Sequence, residues 1–239
     1  MKTLITGASG FVGAAVLREL LKKGHKVKAL VRKSSVLDNL KNLDVEVVYG
    51  DLKDRDSLKK CLKDCNYLFH VAADYRLWVP RPEEIYQNNV TGTENLMEEA
   101  LSLGIEKIVY TSSVAVLGKP IEGDIADEKT PVNIDQMIGH YKKSKYLAEE
   151  KVKELYKTKN LPVIIVNPAA PVGPRDIKPT PTGKMILDAA MKKIPAYLDT
   201  GLNIVHVDDV AKGQLQAFNK GKFGERYILG GEILRLKKY

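Results

Sequence analysis

A tyrosine stands four residues before a lysine at Tyr141 and Lys145, inside HYKKSKYLAEE at residues 140–150. On a helix four residues advance about 6 Å and return nearly to the same face, so such a phenol and ammonium can share one surface. Acid/base work on an oxygen is the chemistry open to them. A free tyrosine, with a pKa of about 10, is a poor proton donor or acceptor near neutrality, and an adjacent ammonium favours the phenolate and lowers that value. Spacing alone decides nothing, because a chain with 38 Lys and Arg residues and 11 tyrosines produces it by chance, as it does again at Tyr49 and Lys53. That second pair straddles a strand end and a Gly-Asp turn and has no common face.

TGASGFVG is a second constellation, placing Gly7, Gly10 and Gly13 between an apolar run and an amphipathic one. A tight turn needs the first glycine, close approach of a pyrophosphate the second, and close packing of helix on strand the third. The helix N-terminus then offers free N–H groups and a positive dipole end to phosphates. A nicotinamide dinucleotide is the expected ligand, with Ser9, Phe11 and Val12 in the same turn. ALVRKSS follows the second strand, where an acidic residue would bond the ribose hydroxyls of NAD. Arg32, Lys33 and Ser34 stand there instead and suit the 2'-phosphate of NADP, so NADP(H) is preferred and NAD(H) is the alternative. Asp51, after the third strand, either bonds the adenine amino group or caps its own turn.

The elements that must position these residues alternate along the chain. KTLIT, HKVKALV, VEVVYG, NYLFHVAA, IEKIVYTSS and LPVIIVNP read as strands. Between them lie helical stretches: 11–24, a short one in VLDNLKNL, DSLKKCLKDC, a long one over 82–104, and the one opened by Tyr141. Strands alternating with helices of this length pair in parallel through crossover helices, giving an α/β doubly wound parallel sheet of the Rossmann type. Ligands of such sheets bind beyond the carboxyl ends of the strands. NPAAPVGPRDIKPTPTGK then gathers five of the chain's 11 prolines and reads as a rigid irregular segment, before a helix (DDVAKGQLQAFNKG, with Asp208 and Asp209 as caps) and a last strand (ERYILGG). The division expected is a dinucleotide-binding domain over 1–168, with 203–229 returning to it, and a small, shortened substrate lobe from 169–202 and 230–239.

The 239 residues, 44% hydrophobic and 28% charged, suit a globular protein of about one domain. The longest aliphatic run, VIIV at 163–166, is too short to span a bilayer, and no leader pattern opens the chain, so a cytoplasmic location is expected. The net charge of +8 is spread as lysines alternating with acids, which fits solvated helix faces and not a nucleic-acid surface. Cys61 and Cys65, four apart, have the wrong spacing for a redox or zinc half-site and read as small buried residues; no metal is expected.

Taken in order, TGASGFVG, GDL at 50–52, HVAA at 70–73, NNVTGTENL at 88–96, TSS at 111–113, Tyr141-x-x-x-Lys145 and NPAAPVGPR at 167–175 resemble the extended short-chain dehydrogenase/reductase superfamily. DYRLWVPRPEEIY and IPAYLDTGLNIVHVDDVA look most like its hopanoid-associated sugar epimerase and dihydroflavonol reductase-like group. The resemblance implies a catalytic triad of Ser113, Tyr141 and Lys145. Ser113, five residues before Gly118, would polarise the substrate oxygen, Tyr141 would exchange its proton, and Lys145 would support the phenolate and hold the nicotinamide ribose. It also implies cofactor contacts from Leu52, Val71, Ala72, Ala73, Asn89, Thr111, Pro168 and Val172. Asp74, Tyr75 and Trp78 lie where substrate would meet the nicotinamide, with lid packing as the other reading. Arg175 would grip an anionic group or simply face solvent. His206 reads as structural and His140 as exposed.

Hydride transfer between NADP(H) and a carbonyl of a small or sugar-like molecule is the expected activity. The alternatives are a nucleotide-sugar epimerase or dehydratase that retains NAD, and a dinucleotide-binding protein without catalysis. Members of the group continue beyond the point matching Leu229-Gly230-Gly231, so a shortened substrate lobe is expected. They commonly pair two long helices into a homodimer contact.

Overall fold

The computed structural model describes residues 1–118, 120, 125–196 and 200–235. The last four residues of the expected substrate lobe, 236–239, lie outside the described residues.

Strands β1 (Lys2–Thr6), β2 (Lys26–Val31), β3 (Glu46–Tyr49), β4 (Tyr67–His70), β5 (Lys107–Thr111) and β6 (Val163–Pro168) fall inside the apolar runs read from the sequence. With β9 (Arg226–Leu229) they form one sheet in the order β3-β2-β1-β4-β5-β6-β9, every pair parallel. The order reverses between β1 and β4, which opens a crevice at their carboxyl ends. The connecting helices are α1 (Phe11–Lys22), α2 (Arg55–Leu62), α3 (Pro82–Tyr86) running through a wide turn (Gln87–Thr91) into α4 (Gly92–Ser102), α5 (His140–Lys159) and α7 (Val207–Lys220).

Alternate residues of each central strand face opposite layers, so both faces must be covered by apolar surface. Ile5, Phe69, Val109, Ile164 and Val166 pack with Val16 and Leu20 of α1 and Phe218 of α7. Leu4, Leu68, Ile108, Tyr110, Val163 and Ile165 pack with Leu58 of α2, Leu96 and Met97 of α4 and Ala148 and Val152 of α5. A second, three-stranded sheet has the order β10-β8-β7, from β7 (Ala170–Val172), β8 (Gly201–His206) and β10 (Glu232–Arg235).

Three local readings change. VLDNLKNL forms only one turn, Asp38–Leu40, because no side chain caps it, Asn42 turns left-handed (φ 59°), and the Asn39 amide bonds the carbonyls of Ser9 and Arg175. The long helix over 82–104 contains a π-turn at Gln87–Thr91, an insertion that helices often carry at functional positions. The proline-rich segment is not wholly irregular. Thr180 accepts from the Gly183 N–H and Pro181 takes the first helical position, which starts α6 (Pro181–Ala190).

Candidate active site

The glycine turn is built as its residue types require. Gly7 is left-handed (φ 74°), and a Cβ there would stand 2.6 Å from the Ala72 nitrogen. A Cβ on Gly13 would overlap the Gly7 carbonyl oxygen, so α1 can lie this close to the turn only with glycine. Gly10 is exposed, its N–H donates to the Gly7 carbonyl at 2.9 Å, and α1 starts behind it with no side-chain cap and no acidic residue in its first turn. That exposed, positively polarised end fits a pyrophosphate. Phe11 is buried under the turn while Ser9 and Val12 are half-buried.

Arg32 and Lys33, just past β2, are exposed and have no ion-pair partner among the described residues, which leaves both free for an anionic group. Asp51 caps its own turn, its Oδ1 accepting from the Lys53 N–H at 2.9 Å. Leu52 packs under Gly92, and Val71 and Ala72 are fixed by donating to Thr6 Oγ1, each at 3.2 Å, with exposed Ala73 following. Pro168 ends β6 in the core, and Val172 pairs with His206 across the small sheet.

Ser113, Tyr141 and Lys145 are brought together. β5 ends at Thr111, and Ser113 follows in extended backbone (φ −162°), its Oγ accepting from the Ala115 N–H at 3.1 Å. The Asn167 amide of β6 holds the Ser113 carbonyl at 3.0 Å. α5 begins at His140, just after Gly139 (φ 84°), so Tyr141, Ser144 and Lys145 occupy its first two turns. The Tyr141 phenol lies near the Ser113 hydroxyl. Lys145 is buried (3% exposed), and its Nζ donates to the Thr111 carbonyl at 2.9 Å and to the Tyr110 hydroxyl at 3.4 Å.

The electrostatics differ from the simple expectation. Burial pushes the Tyr141 phenol above its ordinary value, and the Ser113 hydroxyl is what opposes this. The lysine is spent elsewhere: its ammonium faces the Thr111 carbonyl and Tyr110. Burial lowers Lys145 to about 8, with the Glu149 carboxylate pulling the other way. Glu149 is itself buried and gripped by Lys153 at 2.7 Å, Arg226 at 3.2 Å and Asn167 at 2.9 Å.

On the substrate side, Asn89 in the π-turn ties three segments together. Its Oδ1 accepts from the Asp74 N–H at 2.7 Å, and its amide donates to the Asp74 carbonyl at 2.8 Å and to Ser144 Oγ at 3.0 Å. Asp74 is closed off by Arg76, at 2.9 and 2.6 Å, and by Asn88 at 3.1 Å, which gives it a scaffold role. Tyr75 and Trp78 are exposed at 40% and 79%. Arg175, left-handed at φ 77°, pairs with Asp208 and lines a pocket of about 250 Å³ with Arg18, Glu19 and Lys22 of α1. His206 has the structural role expected, but it is the cap of α7, accepting from the Asp208 N–H at 3.2 Å; Asp208 and Asp209 lie in the first turn. His140 is exposed, near Tyr86. Cys61 is buried, Cys65 half-buried, and burial raises both thiols.

Sequence reasoning passed over His70, Thr93, Tyr110, Ser144 and Glu149, all buried around Lys145. A signal existed for two of them, since Ser144 precedes Lys145 and Glu149 stands one helical turn beyond it.

Known proteins resemble the chain over nearly its whole length. The chain is 48% identical over 237 residues to a Synechocystis sp. protein that carries the name dihydroflavonol 4-reductase, covering 98% of this chain and 68% of that one. The crystal structure of gox2253 superposes with a TM-score of 0.96 at 59% identity, covering 99% of this chain and 72% of the other. DesIV, a dTDP-glucose 4,6-dehydratase from Streptomyces venezuelae solved with NAD and TYD bound, superposes with a TM-score of 0.87 at 23% identity, covering 100% and 78%, which shows a shared fold. Residues 3–230 match the NAD dependent epimerase/dehydratase family, and with the glycine turn and the parallel sheet in place, the chain belongs to that family of enzymes.

Proposed function

We propose that the protein transfers hydride between NADP(H) and a carbonyl or secondary alcohol of a small or sugar-like molecule. The observation that carries this is buried Lys145, one helical turn after Tyr141 on α5, donating to the Thr111 carbonyl at the carboxyl end of β5, two residues before Ser113. The bound dinucleotide supplies the hydride. Ser113 donates a hydrogen bond to the substrate oxygen and polarises it. Tyr141 passes its phenolic proton to that oxygen as negative charge develops there, and the nearby Ser113 hydroxyl opposes the upward push that burial gives the phenol. Lys145, with two of its N–H groups taken by the Thr111 carbonyl and Tyr110, offers the third to the ribose. The Gly10 edge of the turn and the N-terminus of α1 hold the pyrophosphate, and Arg32 and Lys33 take the 2'-phosphate.

The substrate lobe in this reading, 169–202 and 230–239, includes β7, α6, the start of β8 and β10, and the exposed aromatic rings of Tyr75 and Trp78 cover the reacting end. We place the enzyme in the cytoplasm as a homodimer through α4 and α5, which light scattering tests. Among the described residues no helix is long and apolar enough to cross a membrane.

A second reading, an epimerase or dehydratase that returns its cofactor unchanged, is favoured by the fold shared with the NAD-bound DesIV. Incubation with NADPH and a panel of aldehydes, ketones and nucleotide sugars separates the two. The proposal expects net loss of absorbance at 340 nm with carbonyl substrates. Product formation without net NADPH loss, or NAD retained through purification, would replace it with the second reading.

A further inference from the structure

Beneath the candidate site a chain of buried polar side chains crosses the sheet. Thr6 and His70 pair in register between β1 and β4, and His70 and Tyr110 between β4 and β5, so all three end up on the face covered by α4 and α5. All three are fully buried, and Thr93 of α4, facing them, is 2% exposed. The direction of each hydrogen bond follows from counting donors. Thr6 Oγ1 accepts from the N–H groups of Val71 and Ala72, which uses both its lone pairs, so its one hydrogen goes to His70 Nδ1 at 2.7 Å. His70 must therefore carry its proton on Nε2 and donate it to Thr93 Oγ1 at 3.0 Å. Thr93, having accepted, still has its own hydrogen to give, with the Tyr110 phenol beside it and the Tyr110 ring stacked on that of His70 at a centroid distance of 5.6 Å. The Tyr110 oxygen then accepts from Lys145 Nζ at 3.4 Å, with the ammonium also over the Tyr110 ring at 5.0 Å.

We propose that Tyr110 is a positioning residue for Lys145: the directed chain Thr6–His70–Thr93 fixes its phenol so that an oxygen lone pair always faces the lysine ammonium. An ammonium has three N–H donors. The Thr111 carbonyl and the Tyr110 oxygen take two, which leaves one for a ribose hydroxyl. Tyr110 thus keeps Lys145 charged and aimed in a site whose burial works against the charge. The titratable groups around Lys145 are His70 from β4, Tyr110 from β5, and Tyr141 and Glu149 from its own helix. Of these His70 is neutral, its pKa lowered to about 3 by burial, and Glu149 is anionic and already held by Lys153 and Arg226.

The functional meaning rests on the reading that Lys145 serves Tyr141 and the ribose, so the test reads the lysine itself and needs no substrate. In protein labelled with 13C at the lysine ε-carbon, the Lys145 signal, identified by its loss in Lys145→Met, is titrated with pH. Tyr110→Phe keeps the ring and removes only the acceptor, and the Lys145 pKa is expected to fall by about half a pH unit or more, the equivalent of one ordinary hydrogen bond. Thr93→Val is expected to lower it in the same direction and Thr93→Ser to restore it, which a loss of packing alone would not do. An unchanged titration in Tyr110→Phe overturns the proposal, as does a Thr93→Val variant that titrates like the wild type should Tyr110→Phe not fold. A lowered pKa in a protein that oxidises no NADPH would uphold the positioning role and sink the oxidoreductase reading instead.

Discussion

At the residue scale, the chemistry depends on hydroxyl and ammonium groups whose neighbours set their protonation. Burial raises the Tyr141 phenol above its ordinary value, and the nearby Ser113 hydroxyl opposes this. Tyr141→Phe is therefore expected to lower turnover by about three orders of magnitude or more, the scale of a lost general acid, with little change in NADPH affinity. Parallel measurements of NADPH oxidation and NADPH fluorescence check it. Ser113→Ala is expected to cost about a hundredfold in kcat, since one donor to the substrate oxygen is lost. Tyr141 and Lys145 were legible because their spacing is a property of one helix. Tyr110, His70 and Thr93 were not, because they meet Lys145 only through the register of β1, β4 and β5 and the packing of α4 on that face. Strand residues that look like apolar core in sequence became polar neighbours once the sheet order was known.

At the element scale, the glycine turn and the π-turn do the positioning. Gly13→Ala would drive a Cβ into the Gly7 carbonyl, and is expected to destabilise the fold by about 2 kcal/mol or more and to abolish dinucleotide binding. Gly24→Ala is the matched control. Gly24 is left-handed (φ 79°) but meets nothing within 4 Å, so the cost is expected to be about 1 kcal/mol with binding intact. Urea unfolding with and without NADPH compares the two. The seven parallel strands were visible in sequence because apolar runs and glycine stops punctuate them. β7, β8 and β10 were not visible: among their residues only Val205 is buried, so the alternation that marks a strand hardly appears. The π-turn was equally hidden, since Asn89 within it bonds Asp74 and Ser144, both distant in sequence.

At the scale of the whole molecule, buried ionisable groups tie stability to pH. His70 has a folded pKa of about 3, below the 6.5 of an exposed histidine. As pH falls from about 6.5 towards 3 the unfolded chain binds a proton that the folded one refuses, and stability is lost at up to about 1.4 kcal/mol per pH unit. Glu149, its carboxylate favoured by Lys153, adds to the loss as pH falls towards the carboxylate range. Lys145 acts at the other end: with a folded value of about 8 against 10.5, its burial cost shrinks as pH rises between the two. Unfolding free energies measured from pH 7 to pH 4.5 are expected to fall, with the His70 ring nitrogens showing no titration in the folded protein. A His70 that titrates near 6.5 while the protein stays folded would contradict this. The buried residues from Thr6 to Lys145 also lie between the floor of the glycine turn and α5, so the two halves of the candidate site share one buried polar layer.

The central claim is that the candidate site binds a nicotinamide dinucleotide at the glycine turn, with Arg32 and Lys33 selecting the phosphorylated form. The direct measurement is a fluorescence titration of the purified protein with NADPH and, separately, NADH, repeated for Arg32→Ala. NADPH is expected to bind about tenfold more tightly than NADH, about 1.4 kcal/mol, with most of that difference lost in the variant. Equal or tighter binding of NADH, or equal losses for both in Arg32→Ala, would contradict the 2'-phosphate assignment. Binding of neither would contradict the claim as a whole.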